Sequence, residues 1–458
     1  MLDDATLDAH LRRLRNPPPP VELVRACTVG DGIIDGEPAP AQGVSPLRVV
    51  PASGAATRMF QALDRVTQPS LSELERISAE APSLRPALRA LSGWSDLALS
   101  RALPDVDPSA DLPASLKTLR ESGWSSRPKG LVPFHVHGAD WRSAIEGHLR
   151  EAVATGSTAV HLTAPTDHLD AFEAEVQAAV ERVQADTGVA LDVSLSVQHP
   201  DTDTPAIDPD GALIRDQDGT PWLRPGGHGA LLRNLDALWG LIRIINVDNV
   251  AHEDHRAQLR PWGHTLVKAC LDLRDQRDTL VRQVRQGQGV AEARAFLAQL
   301  GYTGPDDADA VLADLFRPVR ICAVVPNDGQ PGGGPFWVRG ADGRVTAQIV
   351  EGAEVNTADA AQQAIWASST HFNPVDIVCW LDDPDGANHD LFAYVDDRRW
   401  IHTHKRHGGV QAHCLERPGL WNGSMSGWLT RFIAVPRETF NPVKTLADLL
   451  DPRHRPAG

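Results

Sequence analysis

Short runs of apolar and β-branched residues alternate with longer segments of helical periodicity through the middle of the chain. The short runs predict strands, and the segments with apolar residues three and four positions apart predict helices. The predicted strands here are residues 47–51, 158–164, 190–198 and 241–249, and the predicted helices are 139–156, 166–187 and 229–238. Such alternation is typical of a mainly parallel sheet covered by helices on both faces, so the sequence predicts a doubly wound α/β fold.

The segments that flank this alternation predict other structures. Residues 1–46 predict an N-terminal helical arm, and residues 451–458 predict a tail. Helical spacing over about 70–122 and about 252–316 predicts two helical insertions. The C-terminal part is rich in predicted strands, namely RICAVVPN, PFWVRG, VTAQIVEG, DIVCWL, LFAYVDD and RFIAVP.

Charge and cysteine content narrow the classes of function. The formal net charge is −16 and no basic stripe is visible, which argues against nucleic acid or an anionic membrane as the main partner. Five scattered cysteines without a CxxC pair fit reduced thiols in the cytoplasm. The N-terminus lacks the apolar core of a signal peptide, and no apolar run is long enough to span a bilayer. We therefore expect a cytoplasmic protein whose partners are small molecules.

The segment LRVVPASGAATRMF, residues 47–60, combines a strand, a turn of small residues and the start of a helix. The N–H groups of such a turn and the positive end of the helix dipole both face an anion. Arg58 adds guanidinium donors for phosphate oxygens. An ordinary strand-to-helix turn is the alternative that this segment alone leaves open.

Three further segments carry polar residues that suit phosphate chemistry. RPKGLVPFH presents Lys129 after a proline that restricts the backbone, and TFNPVKTLADLL presents Lys444 in a similar turn. IINVDN ends a strand in Asp248 and Asn249, where a carboxylate can hold Mg²⁺ beside substrate phosphates. A solvated lysine and a strand-end turn are the alternatives.

Three more regions carry candidates for contact with a base or a sugar. RPGGHGALL places glycines around His228, which permits close approach of a flat or anionic ligand. Glu351 ends a predicted strand, and Asn373 lies in THFNPVD, where both side chains suit sugar hydroxyls. A flexible connection is the alternative for the glycine-rich loop.

Histidines suggest a different chemistry. His402 and His404 share one face if their segment is a strand. The AHEDH segment does not have the spacing of HExxH, and scattered surface histidines are the alternative. A metal-dependent hydrolase is therefore kept as a third hypothesis.

Taken in order, several of these motifs resemble those of the UDP-sugar pyrophosphorylases, a branch of the nucleotidyltransferases. The motifs are SGAATR, RPKG, PGGHG, NVDN, PGGG with QIVEGAE, HFNPVD and FNPVKTLADLL, and they span residues 47–450. The chain is most similar to a bacterial family known as domain of unknown function 4301. The resemblance implies a glycosyltransferase-A-like catalytic domain over 47–450. It also implies that a sugar 1-phosphate attacks the α-phosphorus of an NTP, with UTP favoured, and that pyrophosphate leaves.

The resemblance also implies a role for each matched residue. Nucleotide binding falls to Ser53, Gly54, Ala55, Thr57, Gly227, His228 and Gly229. The catalytic cations are Arg58, Lys129 and Lys444. Asp248 holds Mg²⁺, and sugar contacts fall to Asn249, Glu351 and Asn373.

One departure from the family pattern carries its own expectation. The family has glycine where this chain has Ser53 and Ala56. Two Cβ atoms are expected to crowd the turn wherever φ is positive or phosphate approaches closely. This departure motivates the second hypothesis, a nucleotide or nucleotide-sugar binding protein with the same fold and no turnover.

Overall fold

The computed structural model describes residues 2–64, 76, 79–80, 97–103, 112–304, 307–329 and 332–457. The helices are α1 (Asp4–Arg15), α2 (Thr57–Asp64), α3 (Ala98–Arg101), α4 (Leu112–Glu121), α5 (Ala144–Ala154), α6 (Leu169–Thr187), α7 (Leu232–Asp236), α8 (Arg256–Arg285), α9 (Val290–Gln299), α10 (Ala308–Leu315) and α11 (Ala360–Ala367).

The strands are β1 (Glu22–Ala26), β2 (Thr28–Val29), β3 (Gly32–Asp35), β4 (Leu47–Pro51), β5 (Pro133–His137), β6 (Asp140–Ser143), β7 (Ala159–Ala164), β8 (Asp192–Val197), β9 (Thr204–Ile207), β10 (Leu223–Arg224), β11 (Leu241–Ile245), β12 (Val319–Pro326), β13 (Gly334–Arg339), β14 (Val345–Val350), β15 (His371–Phe372), β16 (Asp376–Trp380), β17 (Ile401–His407), β18 (Val410–Glu416) and β19 (Leu429–Ala434). The predicted α/β fold with a mixed, mainly parallel sheet is confirmed.

The chain divides into two compact units. Unit 1 consists of Met1–Gln42, Gln198–Ile244 and His264–Arg437. Unit 2 consists of Gly43–Val197, Ile245–Gly263 and Glu438–Gly458.

Unit 2 is built on the parallel strands β4, β7 and β8. Arg48 lies opposite Val160 in the β4–β7 ladder, and β7 pairs in parallel with β8. β4 is a nearly continuous buried run, as expected for a parallel strand that is covered on both faces. The core of this unit includes Val50, Leu162 and Phe172, which are fully buried.

Unit 1 contains a mixed sheet and two antiparallel sheets. In the mixed sheet, β2, β3, β19 and β12 run in parallel, and β16 is antiparallel to β12. One antiparallel sheet has the order β1–β13–β14, and the other has the order β10–β9–β18–β17. All five cysteines of the chain are buried and free. No helix in the described parts of the chain has both the length and the apolar character needed to cross a membrane.

Several predicted elements differ from those observed. The helix predicted for 139–156 begins only at Ala144, because Asp140–Ser143 forms a hairpin with β5 around Gly138, whose φ is +59°. The strand predicted for LFAYVDD is wrong, since Leu391–Tyr394 is a 3-10 turn that begins at the capping residue Asp390.

The predicted terminal segments also need correction. The N-terminal arm is helical only over Asp4–Arg15, and Glu22–Ala26 pairs with β13. The tail is not free, because Pro452–His454 forms a 3-10 turn and His454 is only 3% exposed.

The two predicted insertions differ in how far the structure describes them. Most of the predicted 70–122 insertion lies outside the described residues, and its described part includes α3 and α4. The predicted 252–316 insertion is helical and carries α8, α9 and α10.

Candidate functional site

The turn between β4 and α2 is the first part of the candidate site, and it lies in unit 2. Ala56 N–H donates to the carbonyl of Arg127 at 3.0 Å. The Gly54 carbonyl accepts from Lys129 N–H, also at 3.0 Å. The RPKG segment is therefore fastened directly to the predicted phosphate-binding turn.

The side chains that replace glycine in this turn do not strain it. Val375 is the only non-glycine residue with positive φ in the described part of the chain, so Ser53 and Ala56 have ordinary backbone angles. The Ala56 methyl is fully buried in the core of unit 2. A Cβ placed at Gly54 would have no described atom within 4 Å. Crowding through positive φ therefore does not occur, and the open side of the turn lies at Gly54.

Two lysines meet on one buried carboxylate in unit 2. Asp248 follows the end of β11 and is 4% exposed. Its Oδ2 accepts from Lys129 Nζ at 3.1 Å and from Lys444 Nζ at 2.8 Å. Burial raises the pKa of Asp248, but the positive charges of Lys444 and Lys129 outweigh burial and the net shift is downward. The carboxylate is therefore ionised at neutral pH.

The cations of this cluster outnumber its single carboxylate. Burial lowers the pKa of Lys129; Asp248 opposes this shift, while Lys444 and Arg58 add to it. Arg58 is exposed on the first turn of α2 and has no ion-pair partner among the described residues. An excess of positive charge beside an open turn suits an anionic ligand.

Asn249 holds the C-terminal closing segment against the end of β11. Its Oδ1 accepts from Asn441 N–H at 2.8 Å, and the Asp248 carbonyl accepts from Val443 N–H at 2.9 Å. These two bonds place Lys444 beside the carboxylate. The structure thus gives Asn249 a positioning role, and its contact with a sugar stays a prediction.

One oxygen of Asp248 is available to a metal ion. Its Oδ1 is buried and has no hydrogen-bond partner in the described part of the structure. Carboxylate oxygens are ligands that Mg²⁺ prefers, and Mg²⁺ usually takes its other ligands from water and phosphate. Asp248 therefore fits the predicted metal-binding role. The residues described include no group of three His, Cys, Asp or Glu side chains that could hold a metal ion without such help.

A second cluster of predicted residues lies in unit 1. The His228 ring stacks on Trp421, with centroids 3.9 Å apart and planes 13° from parallel. His228 Nδ1 accepts from Leu420 N–H at 2.9 Å, so its ring proton is assigned to Nε2, which lies 3.4 Å from Glu351 Oε1. Trp421 Nε1 donates to the same oxygen at 3.0 Å. Trp421 could not be predicted as a site residue, since no motif around it in the sequence signals a site.

Glu351 is fixed by neighbours on every side. Burial raises the pKa of Glu351, but the hydrogen bonds from His228 and Trp421 and the charge of Arg399 lower it further than burial raises it. Its own N–H donates to Glu354 Oε2 at 2.8 Å, and Glu354 Oε1 accepts from Arg399 Nε at 2.7 Å. The carboxylate is thus held ionised in one position.

The glycines beside His228 are needed for packing within unit 1. A Cβ at Gly229 would lie 2.2 Å from the carbonyl oxygen of Pro418. At Gly227, where φ is +71°, it would lie 2.7 Å from Glu416 Oε2. Atoms of the protein itself therefore already fill the space beside these two glycines. Contact of the glycines with a nucleotide stays a prediction.

Asn373 supports a strained turn in unit 1. It is 2% exposed, and its Oδ1 accepts from Val375 N–H at 3.1 Å. Val375 has a φ of 57°, which a β-branched residue rarely adopts. Asn373 N–H donates to the carbonyl of Gly333 at 2.8 Å. The structure explains Asn373 as a turn residue, and its contact with a sugar also stays a prediction.

The predicted histidine groups pair with one another or with the backbone. His404 lies opposite His413 in the β17–β18 hairpin, with ring centroids 4.6 Å apart. In unit 2, His135 stacks on His454 at 5.5 Å, and their Nε2 and Nδ1 atoms are 3.3 Å apart. No observation on the described histidines favours a metal-dependent hydrolase.

Comparison with known proteins places the chain in a family. The family model described as "Domain of unknown function (DUF4301)" matches residues 2–455. No curated protein sequence matches significantly. UDP-glucose phosphorylase from Trypanosoma brucei is 14% identical, with 99% of this chain and 76% of that chain covered and a TM-score of 0.47. A mutant UDP-glucose pyrophosphorylase from Leishmania major, in complex with UDP-glucose, is 14% identical with coverages of 98% and 75% and a TM-score of 0.43.

Proposed function

The chain belongs to the DUF4301 family, a domain of unknown function, and we propose that it is a nucleotidyltransferase. The proposed reaction transfers a nucleoside monophosphate from an NTP, with UTP favoured, to a sugar 1-phosphate and releases pyrophosphate. The observation that carries the proposal is the meeting of Lys129 and Lys444 on the buried Asp248. The open turn at Gly54, which bonds the Lys129 backbone, supports it.

Transfer at phosphorus needs positioning and positive charge more than covalent help from the protein. In our proposal, the N–H groups at Gly54 and Ala55 and the N-terminus of α2 receive the triphosphate. Arg58 donates to its outer oxygens, since its guanidinium is exposed and free of ion pairs among the described residues. Lys129 neutralises charge on the reacting phosphates, and Lys444 binds the phosphate of the sugar.

Asp248 has two tasks in this proposal. Its Oδ2 keeps both ammonium groups in place. Its Oδ1 is the atom that would hold Mg²⁺, because it is buried without a hydrogen-bond partner in the described structure. The ion, when bound, would neutralise charge on the phosphate oxygens.

The remaining predicted residues are those proposed for contact with the base and the sugar. The stacked His228 and Trp421 rings form a flat surface that suits a base or ribose. Glu351 is ionised and fixed, which suits a hydrogen bond from a sugar hydroxyl. Asn249 and Asn373 have fewer atoms available for a sugar, since the amide oxygen of each already accepts a hydrogen bond from the protein backbone.

The test is an assay of pyrophosphate release from each NTP with a panel of sugar 1-phosphates and Mg²⁺. We expect release with at least one pair and a large loss in Lys444→Met. The matched control is Lys405→Met, which removes an exposed lysine of β17 and leaves the cluster intact. NTP binding by calorimetry without any release would favour a binding protein with no turnover. The proposal is refuted if the folded protein neither binds an NTP nor releases pyrophosphate.

A further inference from the structure

A cavity of about 820 Å³ lies within unit 1, beside one face of α1. The loop at Asp201, residues 229–233, the segment 392–400 and the turn at 417–424 complete its wall, to which the predicted nucleotide-binding residue Gly229 also belongs. This volume falls in the range typical of small-molecule sites. The residues proposed for the transfer reaction use none of its polar side chains.

Arg417 brings a poorly compensated positive charge to this wall. Its Nε donates to the carbonyl of Thr202 at 2.9 Å, and one terminal nitrogen donates to the carbonyl of Asp201 at 3.3 Å. No carboxylate of the described residues forms an ion pair with it. Burial lowers the pKa of Arg417, and Arg13 adds to this shift, while the carboxylates of Asp201, Asp203 and Asp397 oppose it by less. A desolvated cation without a carboxylate costs free energy that a bound anion would recover.

His10 offers a second polar atom close to Arg417. It is 3% exposed, and its buried Nδ1 has no hydrogen-bond partner among the residues described. Its ring packs on Trp400 at 5.2 Å, and the Arg417 guanidinium lies 5.5 Å from the centre of the same indole. One ligand group could therefore bond both side chains. Leu2, Ala9 and Phe392 add an apolar surface for the rest of a ligand.

We propose that this cavity binds a small organic anion, with its carboxylate or phosphate group at Arg417 and His10 and its apolar body beside α1. Occupancy would bear directly on the loop that carries His228. Arg417 N–H donates to the carbonyl of Gly226 at 2.8 Å, and a Cβ at Gly229 would lie 2.8 Å from the Arg417 carbonyl oxygen. A ligand in the cavity would therefore contact the residue that holds the backbone of the His228 loop.

Calorimetry on the full chain tests the proposal with phenyl phosphate, benzoate and the neutral benzyl alcohol. We expect at least one anion to bind and the alcohol not to bind, and the tighter anion identifies the preferred group. Arg417→Gln should weaken that binding by about tenfold or more, because a charge-assisted bond is lost. Arg215→Gln is the matched control, since Arg215 is an exposed arginine that also donates to a carbonyl.

Two further variants keep the result separate from the transfer reaction. Ala9→Phe fills part of the cavity and leaves Arg417 charged, so it should also weaken binding. Lys129→Met should leave the Arg417-dependent binding unchanged, because Lys129 lies in the other anion site. The proposal is overturned if neither anion binds, if Arg417→Gln binds as wild type does, or if only Lys129→Met loses binding. The titrations contain no nucleotide, so failure of the proposed transfer would not affect them.

Discussion

At the scale of single residues, Asp248 shares one carboxylate oxygen between two ammonium groups. Removal of either lysine leaves the other paired with Asp248, so the buried carboxylate keeps a partner. A buried charge that loses its only partner is strongly destabilising, and that situation does not arise here. Single lysine variants should therefore fold, and their effect on activity can be measured.

Lys129→Met and Lys444→Met should each lower the rate of pyrophosphate release about a hundredfold, or about 3 kcal/mol of transition-state stabilisation. The physical reason is the loss of one fixed positive charge where negative charge develops. Steady-state kinetics with the best NTP and sugar phosphate measure the effect. Unchanged rates in both variants would remove the two lysines from the mechanism.

Gly54→Ala should weaken NTP binding without changing the stability of the protein. A Cβ at Gly54 meets no described atom within 4 Å, so the melting temperature should stay at the wild-type value. The added methyl would stand where phosphate is proposed to approach, and NTP affinity should fall about tenfold. Calorimetry with UTP and a thermal melt measure both properties. Wild-type affinity would show that phosphate does not use this turn.

Gly229→Ala is the contrasting variant. Its Cβ would lie 2.2 Å from a backbone oxygen, so the variant should lose about 1–3 kcal/mol of unfolding free energy. Gly304→Ala, whose Cβ would have its nearest described atoms at 3.6 and 3.8 Å, is the control for stability. Denaturant titration of both variants compares them directly.

At the scale of elements, the pattern of apolar positions predicts the strands that carry apolar runs, both in parallel pairs and in the antiparallel β13–β14 hairpin, but not the more polar β17–β18 hairpin. Residues 47–51 were predicted as a strand and form β4. The β17–β18 hairpin was missed, because IHTHKRH has polar residues on both faces and no alternation of period two. In LFAYVDD, apolar residues are present but Asp390 caps a turn. Local hydrophobicity therefore reports burial better than it reports the type of element.

The C-terminal segment after Leu450 should be required for stability. The carbonyl of Arg453 accepts from His252 N–H at 2.8 Å, and the carbonyl of Arg455 lies 3.1 Å from His255 Nε2. The ring of His454 stacks on the buried His135. Truncation after Leu450 should cost about 2–4 kcal/mol, since two to three hydrogen bonds and a buried ring are lost. Denaturant titration measures the loss.

A shorter truncation serves as the control for this prediction. Removal of residues 457–458 keeps the 3-10 turn and the buried His454 ring, so it should cost much less. Equal stability of both truncated chains would show that the turn contributes nothing.

At the scale of the whole molecule, the spacing of residues along the sequence could not predict which of them lie together in the folded protein. Lys129 and Lys444 lie 119 and 196 residues from Asp248 along the chain. Each motif by itself allowed an ordinary turn or a solvated lysine, and only the order of the motifs indicated one site. Trp421 and the partners of Asn249 could not be predicted, because their roles depend on which backbone groups the fold brings near.

Buried histidines should make the stability of the chain fall as the pH falls. Burial lowers the pKa of His148 to about 3 and those of His10, His389 and His454 to about 4. Below pH 6.5 the unfolded chain binds protons that the folded chain does not. Stability should therefore fall by about 1.4 kcal/mol per pH unit for each such histidine, between pH 6.5 and its folded pKa.

Urea titrations at several values between pH 7 and pH 5 measure this dependence. His148→Gln should reduce the slope by about 1.4 kcal/mol per pH unit at most, since one buried histidine that stays neutral in the folded chain no longer titrates. A midpoint that stays constant from pH 7 to pH 5 would contradict the prediction.

The arrangement at Asp248 also has a consequence for the entropy of binding. A free lysine side chain loses up to about 2 kcal/mol of rotamer entropy when it is held in one conformation. Here Asp248 and the Val443 carbonyl already hold Lys129, and Asp248 holds Lys444, so that entropy is lost when the chain folds. An incoming phosphate would meet cations that are already ordered. The affinity of the phosphate would depend on how well it competes with the Asp248 carboxylate for the two ammonium groups, and not on the cost of immobilising two flexible side chains.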